Sequence, residues 1–316
     1  MQNRIKLGIS TCLLGENVRY DGGHKLDRYL RDILGQFVEW VPVCPEVECG
    51  LSTPREAMHL IGDPDSPRLI TIKTGIDYTE QMLVWAKKRL ELLQKEQMCG
   101  FIFKTKSPSS GMRDIRIYNE KGMVVNKGVG LWAKTFMEYF PSLPVEDEGR
   151  LNDAGLRENF IERIFVVFRW NSFINNDGSI KGLVNFHTDH KLLIMAHSST
   201  RLTELGTLVS NPQKLDKNEI FNQYYELLLK TLKLKATVKK NVNVLHHIMG
   251  YFKKQLSAEE KQELLDVIGN YHHGLVPLIV PVVLLQHFTR KFKESYLQRQ
   301  HYLNPHPKEL MLRNHV

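Results

Sequence analysis

A chain of 316 residues is too long for one small domain, and its length alone suggests two. Hydrophobic content of 42% and charged content of 25% are those of an ordinary globular protein. The longest apolar run, 274–286, is broken by Pro277 and Pro281 and falls short of a membrane span. The net charge of +8 is uneven: residues 1–150 hold 21 Lys/Arg against 20 Asp/Glu, and residues 151–316 hold 22 against 15, so a polyanion such as nucleic acid is the natural partner of the second half.

The chain opens on a short polar stretch and runs directly into an apolar strand, which does not read as a signal peptide, and a cytoplasmic location is expected. Residues 5–10 read as a strand ending in the loop 11–23. Residues 26–37 have helical spacing, with Leu26, Leu30, Ile33 and Leu34 on one side, and 38–43 is strand-like, followed by a loop through Arg55. Residues 68–73 form another β-branched run. The stretch 77–97 is an amphipathic helix whose stripe is Met82, Trp85, Ala86, Leu90 and Leu93. Residues 101–104 and 115–118 read as further strands, and 131–140 as a short helix.

This alternation predicts a Rossmann-like α/β domain with a mostly parallel sheet, in which ligands sit beyond the carboxyl ends of the strands. Residues 141–153 are acidic and turn-rich and read as a linker. Beyond them strand signals nearly vanish, and helices are expected over 156–173, 182–208, 217–234, 241–255, 258–272, 276–296 and 307–312. The expected domains are therefore an α/β unit, 1–145, and an all-α unit, 154–316.

All four cysteines, Cys12, Cys44, Cys49 and Cys99, fall in the first hundred residues, which in a reducing cytosol points to metal or redox chemistry rather than disulfides. Cys12 follows the first strand in Ser10-Thr11-Cys12-Leu13-Leu14-Gly15. Cys44 and Cys49 bracket Pro45-Glu46-Val47-Glu48 after the second. Two neighbouring strand ends can bring these three thiolates together as ligands of zinc or an iron–sulfur cluster. Cys99, at a helix–strand junction, reads as a small buried hydrophobe and is the fallback ligand. Three cysteines leave a coordination shell open, as catalysis requires. A third polar loop, Lys104-Thr105-Lys106-Ser107-Pro108-Ser109-Ser110-Gly111, follows another strand.

Together, Cys-Leu-Leu-Gly (12–15) with Arg-Tyr-Asp-Gly (19–22), Cys-Pro-Glu (44–46) followed by Pro-Arg (54–55), and Ser-Pro-Ser-x-Gly (107–111) resemble the thiouracil desulfidase family over residues 1–140. The second half, through Phe186-His187-Thr188-Asp189-His190-Lys191, Gly250-Tyr251-Phe252-Lys253-Lys254 and Asn304-Pro305-His306-Pro307-Lys308-Glu309, resembles the helical domain fused to desulfidases acting on 4-thiouridine in tRNA.

The resemblance implies a 4Fe–4S cluster held by Cys12, Cys44 and Cys49 with one iron open, and hydrolysis of a thiocarbonyl with no net redox change. No sulfur-accepting or other protein partner is obligatory. It also implies Glu46 as general acid/base, with Glu48 the competitor, and Ser107 as a proton-transfer or base-holding residue. Arg19, Arg55 and Ser109 would contact the base or its phosphate; for the two arginines the alternative is an internal ion pair with Asp21 or Glu56. One departure stands out. The free-base desulfidases carry cysteine where this chain has Ser110, and Cys49 is the candidate replacement.

In the helical half, His187, His190 and His197 share one helix side at i, i+3, i+10 spacing, as a metal site or as core histidines. Lys239, Lys240, Lys253 and Lys254, within a wider basic cluster, are the candidate phosphate contacts to tRNA. The expected partner is tRNA containing 4-thiouridine, with free thiouracil as the alternative substrate, no membrane, and a non-catalytic iron–sulfur or zinc RNA-binding protein as the reading from another class.

Overall fold

The computed structural model describes residues 4–211 and 216–315; the opening residues 1–3, which bear on the expected lack of a leader, lie outside them. The chain divides into two compact units, Met1–Leu156 and Arg157–Val316, each described on its own below.

The first unit is built on a four-stranded, wholly parallel sheet. Its strands are β1 (Ile5–Ser10), β2 (Val38–Val43), β5 (Phe101–Phe103) and β8 (Val145–Asp147), in the order β2-β1-β5-β8. β1 is central and buried at every position except Lys6, as a strand covered on both faces must be. Its carboxyl end, Ser10, lies opposite Val43, so the loops carrying Cys12 and Cys44 leave the sheet side by side.

A second sheet holds β3 (Met58–Ile61), β4 (Arg68–Thr71), β6 (Ile115–Tyr118) and β7 (Val124–Gly128) in the order β4-β3-β6-β7. It is mixed: only the β3–β6 pair is parallel, and the hairpins β3–β4 and β6–β7 are antiparallel.

The helices of this unit are the single turn α1 (Pro45–Glu48), α2 (Thr79–Lys95) and α3 (Leu131–Tyr139). α2 and α3 close over the parallel sheet with Leu90, Leu93, Trp132 and Phe136 against Phe101 and Phe103, all buried. The Phe101 and Phe136 rings lie 4.7 Å apart, and Phe103 meets Phe136 edge-on at 5.4 Å. Burying side chains of this size stabilises by about 1.5–3 kcal/mol each.

Several expectations shift. Residues 26–37 do not form an α-helix but a π-helical turn, Tyr29–Ile33, followed by a 3₁₀ turn, Leu34–Gln36. Strands β3 and β7 carried no clear sequence signal; β7 is exposed or half-buried throughout, so it has no apolar alternation. The expected linker 141–153 contains β8. That three-residue edge strand is anchored by backbone pairing with β5, which composition does not report.

The second unit is helical, with α4 (Ala154–Asn176, which begins just before the unit boundary), α5 (Ile180–His197), α6 (Ser199–Ser210), α7 (Lys217–Leu232), α8 (Val238–Tyr251), α9 (Ala258–His272), α10 (Ile279–Lys291) and α11 (Ser295–Arg299). The helix expected over 182–208 is two. Ser198 adopts an extended conformation (φ −167°) that ends α5, and its hydroxyl accepts a hydrogen bond from the Arg201 N–H as the cap of α6. Likewise 276–296 divides into α10 and α11, and 307–312 shortens to a 3₁₀ turn, Lys308–Leu310. Among the described residues, no helix is long and apolar enough to cross a membrane.

Candidate active site

A cavity of about 450 Å³ opens beyond the carboxyl ends of β1, β2 and β5, within the range of small-molecule sites, about 300–1,000 Å³. Its wall includes Cys12, Cys44, Glu46, Arg55, Ser107 and Ser110. The short loops after parallel strands set these positions, so residues distant in sequence converge.

Glu46 is the centre of the arrangement. One carboxylate oxygen, Oε1, accepts a hydrogen bond from the hydroxyl of Ser109. The other, Oε2, lies 3.6 Å from Cys44 Sγ and 3.8 Å from Arg55 Nη2. Arg55 is nearly buried and is itself held by the carbonyls of Val18 (3.0 Å) and Ser52 (3.1 Å). Ser109, fully buried, lies 2.9 Å from the hydroxyl of Ser107, which lines the cavity. A continuous hydrogen-bonded path therefore joins Ser107, Ser109 and Glu46. It depends on close packing behind the loop: a Cβ on Gly130 would lie 2.4 Å from the Ser109 carbonyl, so the start of α3 can approach only as glycine.

The thiols differ in placement. Cys12 and Cys44 line the cavity, whereas Cys49 is absent from its wall; its Sγ lies 3.2 Å from the Glu46 carbonyl, and its side chain packs against the core under the second sheet. Burial pushes the thiol pKa up to about 11 for Cys12, about 12 for Cys44 and about 11 for Cys49, and in all three the negative charge of Glu46 adds to the rise. Cys99 is raised to about 12 by burial alone, without a contribution from Glu46. Its N–H bonds to the Lys6 carbonyl, at the end of β1 opposite to Cys12. The charge of Glu46 thus acts on all three cysteines singled out from the loops, and not on the fourth.

Glu48 does not reach the cavity. It accepts from the Cys44 N–H (2.9 Å) and pairs with Arg89 (3.0 Å), so it braces the turn that carries Glu46. Arg19 lines the cavity while paired to Asp21 at 3.3 Å, as the internal ion-pair alternative anticipated. Glu56 instead accepts from the backbone of Thr74 and is not an ion-pair partner of Arg55. Ser109, expected to touch substrate, is buried behind Ser107 and holds Glu46 instead.

Lys25, Lys104 and Lys106 also line the cavity and were not singled out from the sequence. Lys104 pairs with Glu148, while Lys25 and Lys106 have no ion-pair partner among the described residues. The only signal for Lys104 and Lys106 was position, since both sit in a polar loop already read as part of the site; Lys25 lies just past the loop 11–23 and carried no signal.

In the helical unit, Lys239, Lys253 and Lys254 are exposed. Lys240 is not: its ammonium donates to the carbonyls of His197 (2.6 Å) and Lys235 (3.0 Å), closing the end of α5. His187, His190 and His197 are buried and separately engaged, with Tyr224, with the Phe186 carbonyl and with Glu162.

Residues 7–148 match the family described as 2-thiouracil desulfurase. The chain is 33% identical over 108 residues to the uncharacterized protein YbbK of Bacillus subtilis (strain 168), covering 33% of this chain and 71% of that protein. The chain belongs to the 2-thiouracil desulfurase family. Residues 191–307 match a second family, described as a protein of unknown function (DUF1722). The uncharacterized protein YbgA of Escherichia coli (strain K12) is 28% identical over 153 residues, covering 48% of this chain and 90% of that protein. Among solved structures, a 4Fe-4S-dependent thiouracil desulfidase, TudS, is 30% identical, covering 48% of this chain and 95% of that chain, with a TM-score of 0.39.

The donor set suits an iron–sulfur cluster in kind. Among the described residues no three His, Cys, Asp or Glu side chains converge to hold a single metal ion. A cubane cluster is bound differently, by sulfurs at separate iron corners, and needs thiols spread around a cavity. Cys12 and Cys44 meet that need, with Cys49 one turn from Cys44 across Glu46.

Proposed function

We propose that this chain is an iron–sulfur-dependent desulfidase that converts 4-thiouridine in tRNA to uridine with release of sulfide. The observation that carries the substrate choice is the cavity wall. It presents Lys25 and Lys106 as cations without acidic partners, beside Arg19, Arg55 and Lys104 and one carboxylate, Glu46. A 4Fe–4S cluster on three thiolates would itself be anionic and take up part of that charge, but a neutral thiouracil base adds no partner for the two exposed lysines. A thiolated nucleotide brings phosphates, and phosphate contacts from Lys and Arg supply most nucleic-acid affinity. The basic second half extends the same logic, and its exposed Lys239, Lys253 and Lys254 are the phosphate contacts we assign there.

Cys12 and Cys44 would hold a 4Fe–4S cluster, with Cys49, whose sulfur lies outside the cavity wall, as the third ligand. When bound, the cluster supplies an iron soft enough to take a thiocarbonyl sulfur. The chain's own residues do the rest. Glu46 takes a proton from the water that adds at the ring carbon and returns it to the departing sulfur, so C=S and H₂O become C=O and H₂S. Ser109 and Arg55 fix the two carboxylate oxygens from opposite sides, and Ser107 extends the proton path to the cavity. Arg19 and Arg55 flank the base or its phosphate. A thiolated base inside a folded RNA must leave its stack to enter such a cavity.

Free thiouracil is the second reading, favoured by the family's description and by the name of the related desulfidase. Anaerobically reconstituted protein separates the two. Sulfide release from thiolated tRNA well above that from equimolar free 4-thiouracil supports the tRNA reading; release from the free base alone refutes it.

A further inference from the structure

The helical unit contains a cavity of about 670 Å³ between α5, α6, α8 and α11, distinct from the desulfidase cavity and formed entirely within this unit. On one side Tyr251 and Tyr296 stack on each other, with centroids 5.3 Å apart and planes at 17°, and His247 meets Tyr251 edge-on at 5.7 Å. On the other side His187 reaches the cavity from a buried position, 3% exposed. Its Nδ1 lies 3.0 Å from the hydroxyl of Tyr224, which is wholly buried and kept protonated by that burial. With the Tyr224 hydroxyl donating to Nδ1, the imidazole carries its hydrogen on Nε2, beside Gly206 in the cavity wall.

Gly206 stands inside α6, where glycine is less favourable than alanine. Packing does not demand it: a Cβ there would meet nothing closer than His187 Nε2, at 3.8 Å. What glycine preserves is the open space in front of that nitrogen. One turn beyond His187, Lys191 also lines the cavity, with no ion-pair partner among the described residues.

We infer that this cavity binds a nucleotide, an unpaired base with its phosphate. The base stacks against the Tyr251–Tyr296 pair, a base carbonyl accepts from His187 Nε2–H, and the phosphate meets Lys191. Aromatic side chains that stack an unpaired base, with hydrogen bonds to its edge, are how proteins hold single-stranded RNA. The source of the nucleotide is an RNA strand, with a free mononucleotide as the other origin of the same chemistry. The inference does not depend on the desulfidation reading, because it concerns binding by the other unit.

The test uses the full-length protein, an unmodified tRNA transcript and uridine 5′-monophosphate, with affinities measured by titration. Gly206→Leu occupies the space in front of His187 Nε2, Tyr251→Ala removes the exposed half of the stack, and Lys191→Gln removes the cation. The first two variants are expected to weaken transcript binding about tenfold, which is about 1.4 kcal/mol, and the third to flatten its salt dependence. If monophosphate binding falls and transcript binding does not, the site is a free-nucleotide site. If neither ligand is weakened in Tyr251→Ala or in Gly206→Leu, with circular dichroism unchanged, the inference is wrong. Sulfide release from free thiouracil is measured in parallel and is expected to stay at the wild-type level, so a failure of the desulfidase reading is seen separately.

Discussion

At the scale of single residues, the site is organised around a carboxylate rather than around its thiols. Burial, and after it the charge of Glu46, raises the pKa of Cys12, Cys44 and Cys49, so at neutral pH all three are protonated unless a positive centre takes the place of the proton. Cys99 lacks that neighbour. Replacing Cys12, Cys44 or Cys49 singly by alanine is therefore expected to abolish stable iron binding after reconstitution, and Cys99→Ala to retain it. Iron content that survives Cys49→Ala but collapses in Cys99→Ala would reverse the assignment of the third ligand. Glu46→Gln should keep iron and reduce turnover by about 10²–10⁴-fold, the usual contribution of a general acid/base. Near-normal turnover would remove Glu46 from the mechanism. Ser109→Ala should give a smaller loss with iron unchanged, since it frees only one carboxylate oxygen. Cys12, Cys44 and Cys49 were legible as candidates because they sit in loops after strands, and Glu46 because Cys-Pro-Glu carries the family resemblance. The roles of Ser109 and Glu48 were not, because both depend on partners met only after folding, Ser107 and Arg89 among them.

At the scale of elements, strong periodicity survived folding and weak periodicity did not. The amphipathic stripe of α2 is buried at Met82, Ala86, Leu90 and Leu93, as its spacing requires. Strand β8 escaped notice because three residues cannot show an alternation, and the break at Ser198 escaped because apolar residues resume at Leu202 and Leu205 beyond the short polar stretch 197–201. The histidines of α5 show the same limit: their spacing allowed a metal site, and the structure places each against a different partner. Their burial has a consequence for acid stability. His187 is lowered to about 4, by burial and then by Lys191, and His301 to about 3, by burial and then by Arg169, while His190 lies well below its ordinary value. Each folded pKa is below the unfolded value of about 6.5, so the unfolded chain takes up protons first as pH falls. The stabilisation is complete above pH 6.5 and is lost as pH falls toward 4, by about 3 kcal/mol for His187 alone. Urea unfolding should shift to markedly lower midpoints between pH 6.5 and 4.5. A midpoint constant over that interval would mean that these imidazoles are charged in the folded protein.

At the scale of the whole molecule, charge is divided as the fold is divided. The residues up to 150 are nearly neutral and those beyond carry the excess, while the desulfidase cavity keeps a local cationic wall. On the proposed reading, the helical unit would anchor phosphates and the cavity would receive one nucleotide. The exposed lysines decide between this arrangement and a merely solvated basic face. Lys240 is unsuitable as a probe because its ammonium is spent on the carbonyls of His197 and Lys235, so reversing it would damage the end of α5. Lys239, Lys253 and Lys254 are exposed, so reversing their charge leaves packing intact. The triple variant with glutamate at these positions should bind tRNA more weakly and with a flatter salt dependence, by roughly one unit of log–log slope for each phosphate that is no longer neutralised. Iron content and sulfide release from free thiouracil should not change, since these lysines belong to the other unit. An unchanged affinity and slope would show that phosphate is bound on another face. A loss of free-base activity alongside RNA binding would instead show that the helical unit supports the catalytic unit directly, and that the division of labour is wrong.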